Sequence, residues 1–170
     1  MPEKRSPRDP RTKVMVLSRL GPVLKAARRS GCRVVFTNGV FDLLHLGHTD
    51  LLRRARLLGD LLVVGVNSDA SVRRIKGPGR PFLPERQRAL MLASLEVVDY
   101  VVKFSGDTPM QVIKEIRPDI LVKGGDWKAD KIVGKDIVES LGGRTVRLPV
   151  VKGFSTTEIA RKIKAGKRSR

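Results

Sequence analysis

Arg33-Val34-Val35-Phe36-Thr37-Asn38-Gly39-Val40-Phe41-Asp42-Leu43-Leu44-His45-Leu46-Gly47-His48 joins an apolar strand to the start of a helix and sets the chain's two histidines around one glycine. Residues 33–37 form a short apolar run suited to a buried strand. Leu51, Leu52, Ala55 and Leu58 then recur at helical spacing, so a helix begins near His48. The loop between them presents free backbone N–H groups at a helix N-terminus, where an anion is favoured. Gly39 and Gly47 let a ligand approach the backbone closely. His45 and His48, three residues apart, can project to one side and donate hydrogen bonds to phosphate oxygens. The same spacing also suits a surface pair or half of a metal site. A zinc site takes about three or four ligands, and with both histidines used, Cys32 and carboxylates are what remains to complete one.

Outward from this stretch, strand and helix patterns alternate. Apolar runs over 33–37, 61–67, 100–104, 120–123 and 145–148 predict short buried strands. A first helix is expected over 22–29, ended by Gly31, and further helices over 48–58, 85–95, 110–116, 135–141 and 156–163. Thr108-Pro109 and Ser155-Thr156 read as helix starts. The alternation predicts a single α/β, Rossmann-like domain with a mostly parallel, about five-stranded sheet flanked by helices. Ligands of such folds sit beyond the carboxyl ends of the strands. The H-x-G-H loop, Asn67-Ser68-Asp69 and Lys123-Gly124-Gly125-Asp126-Trp127 all follow predicted strands. No G-x-x-x-x-G-K-[ST] occurs, and Gly77-Pro78-Gly79-Arg80-Pro81-Phe82 lacks the third glycine of a dinucleotide fingerprint and follows no strand. P-loop and dehydrogenase chemistry are therefore excluded.

With 170 residues and 41% hydrophobic content, the chain suits one domain with a proper core. No apolar leader or membrane-length run is present, and a lone cysteine forms no internal disulfide, so a cytoplasmic protein without a membrane partner is expected. The organisation reads as a basic tail over 1–13, a folded domain over 14–164 and a second basic tail over 165–170. The net charge is +18. Half of it lies in residues 1–13 and 161–170, and aromatic residues make up 4% of the chain, which leaves little for base stacking. Solubilising tails around a body suited to small polyanions are the expectation, in preference to a basic nucleic-acid-binding module.

Several stretches occur in one order: the H-x-G-H loop, Val66-Asn67-Ser68-Asp69, Arg74-Ile75-Lys76-Gly77 with Arg80-Pro81, Leu121-Val122-Lys123-Gly124-Gly125-Asp126-Trp127 and Gly153-Phe154-Ser155-Thr156-Thr157. Together they resemble the cytidylyltransferase-like superfamily of nucleotidyltransferases. Asp107-Thr108-Pro109, the Lys123–Trp127 stretch and Ile132-Val133-Gly134-Lys135 are most similar to its D-glycero-β-D-manno-heptose 1-phosphate adenylyltransferases. Members using CTP with glycerol 3-phosphate, or ATP with FMN or phosphopantetheine, are the alternatives.

The resemblance implies direct transfer of AMP from ATP to a sugar 1-phosphate, with pyrophosphate released and no covalent intermediate. It implies His45 and His48 as transition-state donors, with Lys76 as a further catalytic cation. Asn38, Gly39, Val40, Phe41 and Gly47 would pass along the nucleotide phosphates. Gly124, Gly125 and Asp126 would line base and ribose, and Ser155, Thr156 and Thr157 would meet the triphosphate. On the acceptor side stand Asp42, Asn67, Asp69, Lys76, Arg80, Arg88 and Trp127. Lys76, Arg80 and Arg88 are candidate phosphate clamps, Lys76 foremost because a Gly-rich loop could close over substrate. Asp42 orients the loop or helps hold Mg²⁺, which is expected to arrive with ATP. No metal is fixed by the protein alone. An arginine of the glycerol-phosphate enzymes is replaced here by Val150, leaving Lys152 as the candidate cation. A homodimer is common among such relatives and is expected.

Overall fold

The computed structural model describes residues 8–125, 132–149, 151 and 153–166. In chain order the elements are α1 (Pro10–Lys13), β1 (Val14–Met15), α2 (Leu17–Arg29), β2 (Val34–Gly39), α3 (Leu46–Arg56), β3 (Leu61–Asn67), α4 (Asp69–Lys76) and α5 (Glu85–Ala93), followed by β4 (Tyr100–Phe104), α6 (Met110–Ile116), β5 (Ile120–Gly124), α7 (Lys135–Ser140), β6 (Arg144–Leu148) and α8 (Thr156–Gly166). The strands form one parallel sheet in the order β1-β4-β3-β2-β5-β6.

Because β2 and β3 are buried on both faces, their side chains alternate between two apolar layers. Val35, Val64, Val66 and Val122 meet Leu52 and Ala55 of α3 and Ala89, Leu92 and Ala93 of α5. Val34, Phe36, Val63 and Leu121 face Leu20 and Leu24 of α2, the apolar side of α6, and Val138 of α7. At the amino ends of the strands, aspartates act as staples. The backbone N–H of Val34 donates to Asp119 at 2.7 Å and that of Leu62 to Asp99 at 2.8 Å. The carboxyl ends are left for other work.

The structure departs from the sequence expectation in places. The sheet has six strands, the extra one being β1, whose Val14 and Met15 pair with Val101 and Val102 and are too few to show a period. Helix α2 starts before Pro22, since Leu20 and Leu24 lie one turn apart and are both buried, offsetting the missing amide. Helix α4 replaces an expected loop; the Ser68 hydroxyl accepts from Ser71 N–H at 3.2 Å and caps it. Residues 10–13, expected as tail, form a turn capped by Asp9, and the 8% exposed Lys13 donates to the carbonyls of Val98 at 2.8 Å and Leu95 at 3.2 Å. Among the described residues no helix is long and apolar enough to cross a membrane.

Candidate active site

The chain runs outward from β2 to β3 and β4, then returns to place β5 on the other side of β2. Loops leaving the carboxyl ends of β2 and β5 therefore diverge, and such a reversal opens a crevice. A cleft of about 740 Å³ lies there, lined by the ends of β2 and β5, the H-x-G-H loop, and the start of α8.

Within it, His45 adopts extended backbone (φ −144°, ψ 170°) immediately before α3, and its carbonyl accepts from His48 N–H at 2.8 Å and Thr49 N–H at 3.2 Å. No side chain caps α3. The amides of Leu46 and Gly47, ahead of those two, have no acceptor within the helix, and Gly47 lines the cleft. The two imidazoles stack, with centroids 3.8 Å apart and planes 21° from parallel, and Phe41 leans on His48 at 5.1 Å. Phe41 itself is 4% exposed with φ 47°, a left-handed backbone costly for an aromatic residue. Gly47 leaves room for the stack, because a Cβ there would stand 3.1 Å from His45 ring atoms.

Burial, and secondarily the neighbouring His45, push the His48 pKa down to about 4; the Leu43 backbone opposes this. Burial likewise lowers His45. Both rings are therefore neutral near pH 7, and Nδ1 of each is buried without a hydrogen-bond partner. Each neutral ring has one N–H to donate. Across the crevice Lys123, at the end of β5, donates to Asn38 Oδ1 at the end of β2. Burial pushes its pKa down to about 8.

A family model described as cytidylyltransferase-like matches residues 36–162, which span β2 to α8 and contain every wall of this cleft. The chain belongs to the cytidylyltransferase-like family. It is 55% identical to the bifunctional protein HldE of Syntrophotalea carbinolica over 89% of this chain and 31% of that one. HldE of Geotalea uraniireducens is 52% identical over 93% and 32%, respectively. The chain thus spans about a third of the length of these curated relatives. Among solved structures, the lipopolysaccharide core biosynthesis protein from Thermoplasma volcanium superposes with a TM-score of 0.60 at 33% identity, covering 73% of this chain and all of that one. Pantoate-β-alanine ligase from Francisella tularensis superposes with a TM-score of 0.58 at 14% identity, over 92% of this chain and 79% of that one; it shows the fold alone.

Against this cytidylyltransferase-like frame the expected residues separate into two groups. Asn38, Gly39, Val40, Phe41, Asp42, His45, Gly47 and His48 all line the cleft. So do Asn67, Lys76, Arg80, Gly124, Ser155, Thr156 and Thr157. Asp69, Arg88 and Gly125 are not among its lining residues. Gly125 instead donates its N–H to Leu148 at 3.0 Å, extending the pairing of β5 with β6. Asp126, Trp127, Val150 and Lys152 lie outside the described residues.

Two charged candidates, Arg88 and Lys76, are set differently from the expectation, and a third, Asp42, keeps one of its two expected roles. Arg88 is 1% exposed; it donates to the carbonyls of Val40, Asn67 and Leu83 and pairs with Asp69 at 2.8 Å. With those donors committed, it braces the ends of β2 and β3 and is no clamp on substrate. Asp42 is 4% exposed; its Oδ1 accepts from Phe82 N–H at 2.7 Å and Leu83 N–H at 3.1 Å, while Oδ2 pairs with Arg80 at 2.9 Å. It orients the loop and does not present a free carboxylate to a cation. Lys76 is exposed at the end of α4, so it enters the cleft from a helix and not from a mobile glycine loop.

Elsewhere the roles overlap. Arg80 also donates to Thr157 Oγ1 at 3.3 Å, tying the start of α8 to the H-x-G-H side. Ser155 accepts from Glu158 N–H at 3.1 Å and so caps α8 while facing the cleft. Sequence reasoning missed Lys123 as a site residue, although it stands directly before Gly124. It also missed the wall made by Asp107, Thr108, Pro109, Ile132 and Val133. Those stretches were visible as motifs; their convergence on one cleft needed the fold.

Proposed function

We propose that this chain is an adenylyltransferase that moves AMP from ATP to D-glycero-D-manno-heptose 1-phosphate, giving ADP-heptose and pyrophosphate. An oxygen of the acceptor phosphate attacks the α-phosphorus directly and in line. The new P–O bond forms as the α–β bridging bond breaks, and pyrophosphate leaves with that bond's electron pair. No group on the protein needs to be a nucleophile. The chain's task is to align two polyanions and to offset charge developing on the transferred group and the leaving group.

The observation that carries this reading is the stacked, neutral His45–His48 pair at the uncapped start of α3, inside the crevice made by the strand-order reversal. Its N–H groups and the Gly47 amide at the start of α3 together form a preorganised set of donors for phosphoryl oxygens. The acceptor is supported by the Asp107-Thr108-Pro109 and Lys123-Gly124-Gly125 stretches and by the likeness to a lipopolysaccharide core biosynthesis protein. Magnesium enters this proposal with the nucleotide. Asp42, the carboxylate considered for the ion, is already committed to two amides and Arg80, which favours magnesium carried by the nucleotide.

Pyrophosphate release measured for ATP and CTP against heptose 1-phosphate, glycerol 3-phosphate, FMN and phosphopantetheine tests the assignment. Turnover is expected with ATP and heptose 1-phosphate. Preference for CTP with glycerol 3-phosphate, or for ATP with either of the other two acceptors, would move the chain to another branch of its family.

A further inference from the structure

Lys123, next to last in β5, stands beside the end of β2 in the crevice that also holds the two histidines. Its ammonium donates to the Asn38 side-chain oxygen. A neutral amide satisfies one of three N–H groups and none of the charge. Among the described residues no carboxylate pairs with Lys123. The arginines nearby are treated differently, Arg80 having Asp42 and Arg88 having Asp69; Lys13, which also has no carboxylate, is held by two backbone carbonyls where Lys123 has a single amide oxygen. A largely buried charge with no counter-charge is costly, and a bound anion removes that cost. The low pKa of about 8 agrees with an ammonium that the unliganded cleft solvates poorly.

The aim of the side chain is also fixed. Residues 35–37 pair with 120–122, so Asn38 and Lys123 occupy the next step of the ladder, at the mouth of the crevice. Gly124 follows directly; a Cβ there would come within 3.0 Å of Leu51, so α3 packs closely on the strand at the residue next to Lys123 and holds its backbone in place.

We infer that Lys123 is a phosphate-binding residue of this site, its ammonium receiving a phosphoryl oxygen of a reacting group, either the acceptor's phosphate monoester or the α-phosphoryl of the nucleotide, while Asn38 holds it in position. This rests on the nucleotidyl-transfer reading given above and adds a residue to it. The neutral variant Lys123→Met keeps the apolar stem and removes the charge. Calorimetric titration of that variant with Mg-ATP and, separately, with heptose 1-phosphate is the test, alongside thermal melting without ligand.

The unliganded melting temperature should equal or exceed that of the parent chain, and affinity for at least one ligand should fall about 10- to 100-fold, the loss of one charge-assisted hydrogen bond. A loss confined to heptose 1-phosphate assigns the acceptor; a loss confined to ATP assigns the α-phosphoryl; a loss for both puts the ammonium between them. Binding of both ligands within about threefold of the parent chain overturns the inference. Should Lys123→Met fail to fold, Asn38→Asp gives the ammonium a carboxylate partner, and the same loss of affinity is expected; unchanged affinity there overturns it equally. A parent chain that binds both ligands yet releases no pyrophosphate would sink the transfer reading and leave Lys123 as an anion site. Lys123→Met with full binding and turnover would do the reverse.

Discussion

His48 lies against one aromatic ring and beneath another imidazole, a setting that admits the neutral form and resists the charged one. In the proposed reaction it is a donor aimed at developing charge, so His45→Ala and His48→Ala should each keep the fold, by circular dichroism, and lower kcat about 10²- to 10³-fold. The same burial makes stability depend on pH. The unfolded chain titrates His48 near its ordinary 6.5 and the folded chain near 4, so between these values the unfolded state binds more protons and stability rises with pH. The contribution is complete above about pH 6.5 and is lost as pH falls toward about 4, on the order of 3 kcal/mol in all. Urea titrations of the unliganded protein at pH values spanning that window should show the decline, and His48→Gln should flatten it. Gly47→Ala is the subtler probe. Its new methyl would stand 3.1 Å from the His45 ring, so turnover should fall while the melting temperature holds or rises with the better helix former; unchanged turnover would show that the stack tolerates displacement.

Elements meet at Arg88, which reaches from α5 to the ends of β2 and β3 and to the first residue of α4. Arg88→Met should cost about 3–5 kcal/mol in denaturant unfolding, because Asp69 and three carbonyls lose their donors in a buried place. A substrate clamp would instead raise KM and leave stability alone. The main strands were legible because strands buried on both faces are continuous apolar runs, and the H-x-G-H junction because a strand, a glycine and a helical period adjoin. Helix α4 was not, since its buried positions are Ser71 and Val72 and its basic end runs into Gly77-Pro78-Gly79. Arg88, Asp42 and Lys123 share a single difficulty. A charged residue reads the same in sequence whether it meets water, a backbone carbonyl or a ligand, and the fold alone decides which.

The whole molecule carries a large cationic surplus, and among the described Lys and Arg residues Lys76, Arg80 and Lys123 line the cleft. The surplus therefore acts at a distance, drawing polyanions inward through a field that salt screens. Raising ionic strength from about 0.02 to about 0.2 M should raise KM for both substrates about threefold or more with little change in kcat; a salt-insensitive KM would confine the surplus to solubility. The sheet itself carries a less obvious consequence. Strands β2 and β3 pair along the whole of β2, whereas β2 and β5 pair over residues 35–37 and 120–122. Apart from the two-residue edge pairing of β1 with β4, the thinnest stitching in the sheet thus runs under the place where the proposed substrates would meet. Any scissoring of one half-sheet against the other is felt there as a change of aperture before a loop has moved, and the bond from Lys123 to Asn38, one rung past the last pair, is the clasp that sets its width.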